Sequence, residues 1–164
     1  MTTLPIAFLT LGYALVFVLA VWFTRATSRR AAGALAGAAV AGLIGMGAIL
    51  LGRNVGWWNV PLVSTPILLY LGLSISLAPI YLITWRIARR FGGRGLAVFA
   101  AAVTIIGPPR DIFIARKFPE WMVFSPGIAP ILVDAATYAA FVLVGHAVMR
   151  LVAGPARQDL LARS

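Results

Sequence analysis

The sequence contains no cysteine, and it has only one histidine and one lysine among its 164 residues. Without cysteine, disulfides, thiolate nucleophiles and iron–sulfur clusters are excluded. One histidine is too few for a conventional zinc site, which takes several histidine, cysteine or carboxylate ligands. We therefore expect neither a metal nor a cofactor, and we expect His146 to be a packing residue.

Acidic residues are scarce as well, with four against fourteen basic ones, which leaves a net charge of +10. In a soluble protein such an excess would suggest nucleic-acid binding. Here the arginines cluster where hydrophobic runs stop, as they do in the cytoplasmic loops of membrane proteins. No run interleaves basic and aromatic residues into a stacking platform for bases. We exclude nucleic acid as a partner.

Apolar residues are abundant, at 62% hydrophobic, and the mean hydropathy is +0.97. Apolar runs of about 20 residues indicate transmembrane helices. The pattern predicts an all-α, polytopic integral membrane protein in the lipid bilayer, with one domain covering residues 1–164 and one bundle of five transmembrane helices. The predicted spans are residues 4–24, 31–52, 60–85, 96–115 and 128–154.

The distribution of basic residues predicts the orientation. If the N-terminus is outside, ten arginines fall in inner segments and four basic residues in outer ones. The outer four are Arg53, Arg110, Arg116 and Lys117. Because cytoplasmic loops carry the excess of positive charge, we predict an N-out, C-in protein of the bacterial plasma membrane. An ordered outer loop would then join the fourth and fifth spans.

The third and fourth spans contain prolines. Pro66 and Pro79 are predicted to lie inside the third span. The fourth is clearly apolar only over residues 96–107, and twelve residues rise about 18 Å as a helix, less than the roughly 30 Å of a hydrocarbon core. Either the helix continues through Pro108 and Pro109 to Ala115, or it breaks at these prolines.

The second span carries small residues at every fourth position: Gly33, Gly37, Ala41 and Gly45. Small residues at this spacing let two helix backbones approach closely. The row therefore predicts either an interface with a partner, such as a second copy or a membrane complex, or a packing face within the chain.

Residues 107–138 hold three of the four acids and are the predicted functional segment. Asp134 lies about six residues into the fifth span with no basic neighbour in sequence. An ionisable group in lipid is costly and is a functional hypothesis by default, and a neutral acid there is a plausible proton donor. The alternative is a structural ion pair with Arg110 or Arg116.

Other residues complete the predicted site. Asp111 or Glu120 would be the partner of Asp134, and Arg110 would be a charge clamp. Aromatic residues would line the substrate pocket, where ring faces can stabilise developing positive charge. They are Phe113, Phe118, Trp121, Phe124 and Tyr138, with Tyr70 and Tyr81 from the third span.

These features suggest an enzyme that acts on an apolar, lipid-like or isoprenoid small molecule by acid–base chemistry, with cyclisation or isomerisation favoured. No serine-hydrolase, nucleotide-binding or metalloprotease motif is present in the sequence. The alternative is a non-catalytic role as a small transporter, or as a lipid-binding or assembly subunit of a membrane complex.

Overall fold

A computed structural model describes residues 4–60 and 66–154, which are almost entirely helical. The helices are α1 (Leu4–Thr24), α2 (Ser28–Val55), α3 (Pro66–Lys117) and α4 (Ile128–Ala153). Two short strands, β1 (Trp58–Asn59) and β2 (Val123–Phe124), complete the fold. All four helices are long and apolar enough to cross a membrane. The predicted all-α architecture is confirmed, and the apolar helices are compatible with the predicted membrane class.

The helix count differs from the predicted five, because the predicted third and fourth spans belong to the single element α3. Pro66 is the first residue of α3 rather than an internal one. Pro79, Pro108 and Pro109 lie inside the helix. The chain therefore continues through the Pro108–Pro109 pair, because neighbouring groups in a packed helix can compensate for the missing donors.

Gly92 interrupts α3, with φ 65° and ψ −158°, a backbone conformation that is not helical. Residues with a Cβ rarely adopt this backbone conformation, whereas glycine adopts it without a steric clash. A Cβ on Gly95 would lie 3.2 Å from the Ile87 side chain, although eight residues of straight helix would separate the two by about 12 Å. The chain therefore bends back sharply at Gly92.

The bend makes two arms of α3, residues 66–91 and 93–117, and both lie along α4. Tyr81 of the first arm contacts Gly145, and Gly107 of the second arm faces Tyr138. In a straight helix Tyr81 and Gly107 would be about 39 Å apart. Their α4 neighbours are only about 10 Å apart along that helix, so the arms must lie side by side.

Gly92→Ala should destabilise the protein by about 1–3 kcal/mol, because alanine is strained at this positive φ. Gly93→Ala is the matched control, since a Cβ at Gly93 meets no atom within 4 Å. Thermal unfolding of both variants in one detergent measures the difference. Equal melting temperatures would show that the bend does not depend on the left-handed conformation of Gly92.

The row of small residues on α2 packs within the chain. Gly37 faces the backbone carbonyl of Gly145, and a Cβ on Gly33 would lie 3.0 Å from the Met149 carbonyl oxygen. Ala41 is fully buried. This is the intramolecular alternative predicted from the sequence, and a partner at this face would have to displace α4.

The two strands form an antiparallel pair that we call the β clip. Trp58 pairs with Phe124 and Asn59 pairs with Val123. Ser125 extends the contact, since its amide donates to the Trp57 carbonyl at 2.8 Å. The β clip follows the C-termini of α2 and α3 and defines the clip end of the bundle. The Gly92 end is opposite.

Candidate functional site

Asp111, on the second arm of α3, accepts hydrogen bonds on both carboxyl oxygens. Arg110 Nε lies 3.0 Å from Oδ1, and the Tyr138 hydroxyl donates to Oδ2 at 2.8 Å. The Asp111 side chain is 13% exposed, while that of Arg110 is 62% exposed. One partner comes from α3 and the other from α4, so the position of the Asp111 carboxyl is fixed by two helices.

Gly107 makes this contact possible. A Cβ at Gly107 would overlap the ring of Tyr138, and Gly107 lies one helical turn before Asp111. The absent side chain lets the tyrosine ring lie across the helix, so that its hydroxyl reaches the carboxyl one turn further along. Local glycine placement therefore sets the register between the second arm of α3 and α4.

Asp134 lies one turn before Tyr138 on α4, and its Oδ2 is buried without a hydrogen-bond partner in the described part of the chain. It interacts electrostatically with Asp111 and Arg110. Neither Arg110 nor Arg116 forms an ion pair with it among residues 4–60 and 66–154. The structural ion pair proposed as the alternative from the sequence is therefore not formed.

A third helix reaches this group. Arg110 interacts electrostatically with Tyr13 of α1, and its Cζ lies 6.0 Å from the centre of the Tyr138 ring. We call Tyr13, Arg110, Asp111, Asp134 and Tyr138 the Asp111–Asp134 cluster. Tyr13 is absent from the predicted set, although a phenol in an otherwise apolar helix was a usable signal.

A cavity of about 480 Å³ lies beside the cluster at the clip end. Ala115 and Ile131 line it. Ala115 is one turn beyond Asp111, and Ile131 is about one turn before Asp134, so the cavity is separated from the cluster by about 5 Å of helix. Phe124 and Arg116 also line this cavity, which we call the β-side cavity. Neither Asp111 nor Asp134 is among the residues that line this cavity.

Glu120 does not join the cluster. It is exposed in the turn between α3 and β2, and its side chain forms no hydrogen bond or ion pair with the described residues. Because α3 ends at Lys117, Glu120 lies beyond the helix, in the turn that follows it. Of the two predicted partners of Asp134, the structure brings Asp111 into position and not Glu120.

Three of the predicted aromatic residues lie away from both the cluster and the β-side cavity. Phe113 is 59% exposed and Phe118 is 44% exposed. Trp121 stacks on Phe118, with ring centres 5.1 Å apart. They are surface residues near the clip end, where aromatic side chains suit a membrane–water interface. Phe124 does line the cavity, and the centre of its ring lies 5.7 Å from the centre of the Trp58 ring.

The two tyrosines of the first arm connect helices instead of lining the site. The Tyr81 hydroxyl donates to the Phe141 carbonyl at 2.8 Å, and its side chain is fully buried. The Tyr70 hydroxyl donates to the Ala39 carbonyl at 3.3 Å. These contacts hold the first arm against α4 and α2, so neither tyrosine lies in the Asp111–Asp134 cluster.

His146 is buried, with Nδ1 3.0 Å from the Thr84 hydroxyl. It is on the α4 segment near the Gly92 end, away from the Asp111–Asp134 cluster. This agrees with its predicted role as a packing residue.

No protein-family model, curated protein or solved structure matches the chain. The functional argument therefore depends on the geometry of the cluster and of its surroundings.

Proposed function

We propose that this protein is an integral membrane enzyme that acts on an apolar, lipid-like or isoprenoid substrate by acid–base chemistry. The observation that carries the proposal is Oδ2 of Asp134, a buried atom with no hydrogen-bond partner in the described part of the chain, beside the fixed Asp111. Burying a polar group without a hydrogen bond costs free energy. A fold that retains such a group beside a second carboxyl supports a chemical use for it.

The two carboxyls have different roles in this proposal. A neutral carboxylic acid costs less to bury than a carboxylate, so Asp134 is the proton donor. Asp111, held in place by Arg110 and Tyr138, provides a fixed negative charge beside Asp134.

The reaction type follows from a proton donor in an apolar setting. Protonation of a carbon–carbon double bond by Asp134 gives a carbocation, which closes a ring or shifts its double bond. Loss of a different proton to the Asp134 carboxylate then restores the acid and gives an isomer of the substrate. In this proposal the substrate enters from the β-side cavity, which has Phe124 and Ile131 in its walls.

We also propose that the chain crosses the membrane five times, with the N-terminus outside and the C-terminus inside. As one straight helix, the 52 residues of α3 would rise about 78 Å, against roughly 30 Å of hydrocarbon. The bend at Gly92 supports two crossings. Eight arginines flank the Gly92 end of the described helices, the end that the positive-inside rule makes cytoplasmic. They are Arg25, Arg29, Arg30, Arg86, Arg89, Arg90, Arg94 and Arg150.

Single cysteines test this topology directly, because the chain has no cysteine of its own. Glu120→Cys should react with a membrane-impermeant maleimide in intact cells, and Gly93→Cys should react only after permeabilisation. Labelling of both residues from the same side would contradict two crossings by α3.

Deuterium incorporation tests the chemistry. The purified protein in liposomes would be given acyclic polyprenols and squalene in deuterated water, and the lipids would be analysed by mass spectrometry. We expect an isomer with a new retention time that carries one deuterium, since the donated proton exchanges with solvent. If every probe is recovered unchanged, or an isomer forms without deuterium, acid-initiated turnover of this substrate class is refuted.

A further inference from the structure

A second cavity, of about 550 Å³, lies at the Gly92 end of the bundle. It is formed where α1 ends, α2 begins and the first arm of α3 reaches its bend. Cationic and aromatic side chains dominate its wall, and we call it the arginine cavity. They are Arg30, Arg86, Arg89, Arg90, Trp85 and Phe91.

No described carboxylate balances Arg86, Arg89 and Arg90. Asp111, Glu120 and Asp134 all lie toward the clip end, and the fourth acid, Asp159, lies outside the described residues. Arg89 and Arg90 form no ion pair within residues 4–60 and 66–154. The like charges of these three side chains repel each other, and a bound anion would relieve that repulsion.

The guanidinium groups are nevertheless held in place. Arg30 Cζ lies 4.2 Å from the centre of the Trp85 ring, and Arg89 Cζ lies 5.7 Å from it. Arg86 donates to the Thr24 carbonyl at 3.2 Å. The ring contact of Arg89 and the carbonyl contact of Arg86 position these two cations without neutralising them, which leaves their charge available to a ligand.

Trp85 provides a separate indication. Its side chain is 3% exposed and lines the cavity. Its indole Nε1 is a buried donor with no acceptor in the described part of the chain. Buried donors in proteins are nearly always paired. An unmatched donor in the wall of a cationic cavity indicates that an acceptor belongs nearby.

The positive-inside rule explains why arginines occur at this end of the bundle, but it does not explain their convergence. Arginines that served only as topological signals would extend separately into water. Here two of them contact one buried tryptophan, and two more share its cavity. The arrangement has the form of a binding site.

We propose that the arginine cavity binds the phosphate headgroup of an anionic membrane lipid. A guanidinium presents a planar fork of donors that matches phosphate oxygens. Basic pockets between transmembrane helices at the cytoplasmic face bind such headgroups, and the volume is within the range of small-molecule sites. Phe91, 60% exposed, offers an apolar surface for the acyl chains. This proposal does not depend on the acid–base chemistry at the opposite end.

Native mass spectrometry of the delipidated protein tests the proposal by titration with phosphatidylglycerol, cardiolipin and phosphatidylcholine. We expect both anionic lipids to bind at least about tenfold more tightly than phosphatidylcholine, a difference of about 1.4 kcal/mol. The double variant Arg89→Gln/Arg90→Gln should lose that preference. The matched control Arg53→Gln/Lys117→Gln removes two exposed charges at the clip end that line neither cavity, and it should bind as the wild type does.

Three results would overturn the proposal. Equal binding of phosphatidylcholine would exclude headgroup recognition, and unchanged binding by the Arg89/Arg90 variant would exclude this cavity. Competition by glycerol 3-phosphate or inorganic phosphate at the same concentrations as lipid would assign the site to a soluble anion. If the glutamine variant fails to fold, Arg89→Lys/Arg90→Lys keeps the charge. It should bind anionic lipid more weakly than the wild type, because an ammonium lacks the fork, and unchanged affinity would count against the proposal.

Discussion

Replacing Gly37 with leucine should cost the protein about 3 kcal/mol or more, at the upper end of the usual penalty for overpacking. The obstacle is the backbone of Gly145, which a Cβ at Gly37 would overlap. A side-chain neighbour could change its rotamer, but a backbone carbonyl moves only if α2 and α4 separate. Separation would also disturb Tyr81, whose ring lies 3.5 Å from the same position.

Gly47→Leu is the matched control for this prediction. Gly47 is on the same helix, is exposed, and would place its Cβ with no atom within 4 Å. Thermal unfolding and size-exclusion chromatography in one detergent compare the two variants. Similar stability of the two would mean that α2 and α4 do not meet at Gly37. A folded but monomeric Gly37→Leu protein would mean that the row of small residues serves a partner instead.

Asp134→Leu is expected to separate function from stability. Loss of a general acid typically lowers the rate by about 10²–10⁴-fold, so deuterium-labelled isomer should fall below detection. The melting temperature should stay the same or rise, because an unsatisfied buried polar atom costs about 1–3 kcal/mol. Asp134→Asn should lose turnover in the same way while keeping nearly the same side-chain volume.

Asp111→Leu is the contrasting variant. It leaves the Arg110 guanidinium and the Tyr138 hydroxyl without their shared acceptor. Hydrogen bonds to charged groups are worth about 1.5–3 kcal/mol each, so this variant should be clearly less stable than the wild type. If Asp134→Leu proves equally destabilising, then Asp134 is a structural residue and the catalytic proposal fails.

Hydropathy was sufficient to predict the helical membrane fold, but it did not predict how α3 is organised. Several glycines lie close together in the basic segment after Arg90, and nothing local shows that Gly92 is the one with positive φ. The sequence also did not decide whether α3 continues through Pro108 and Pro109 or breaks there. The continuation depends on the packing of Gly107 against Tyr138, a contact between residues far apart in sequence.

Only part of the candidate site could be predicted from the sequence, because contacts between residues far apart in sequence decide the rest. Asp111 and Asp134 are on different helices, and the register between those helices decides whether the carboxyls meet. By residue type, Glu120 was as good a candidate partner for Asp134 as Asp111 was. It lies three residues beyond the end of α3 and therefore outside the cluster. The arginine cavity was not predicted, because arginines near Trp85 are also typical of a cytoplasmic loop.

The β clip has a consequence for biogenesis. Membrane helices leave the translocon in the order of synthesis, and the partner strands β1 and β2 have the whole of α3 between them. In the proposed five-crossing topology, the clip can close only after both arms of α3 have been inserted and the chain has emerged again on the first side. In that topology, a closed clip requires a completed α3 hairpin, so its formation reports that both arms have been inserted.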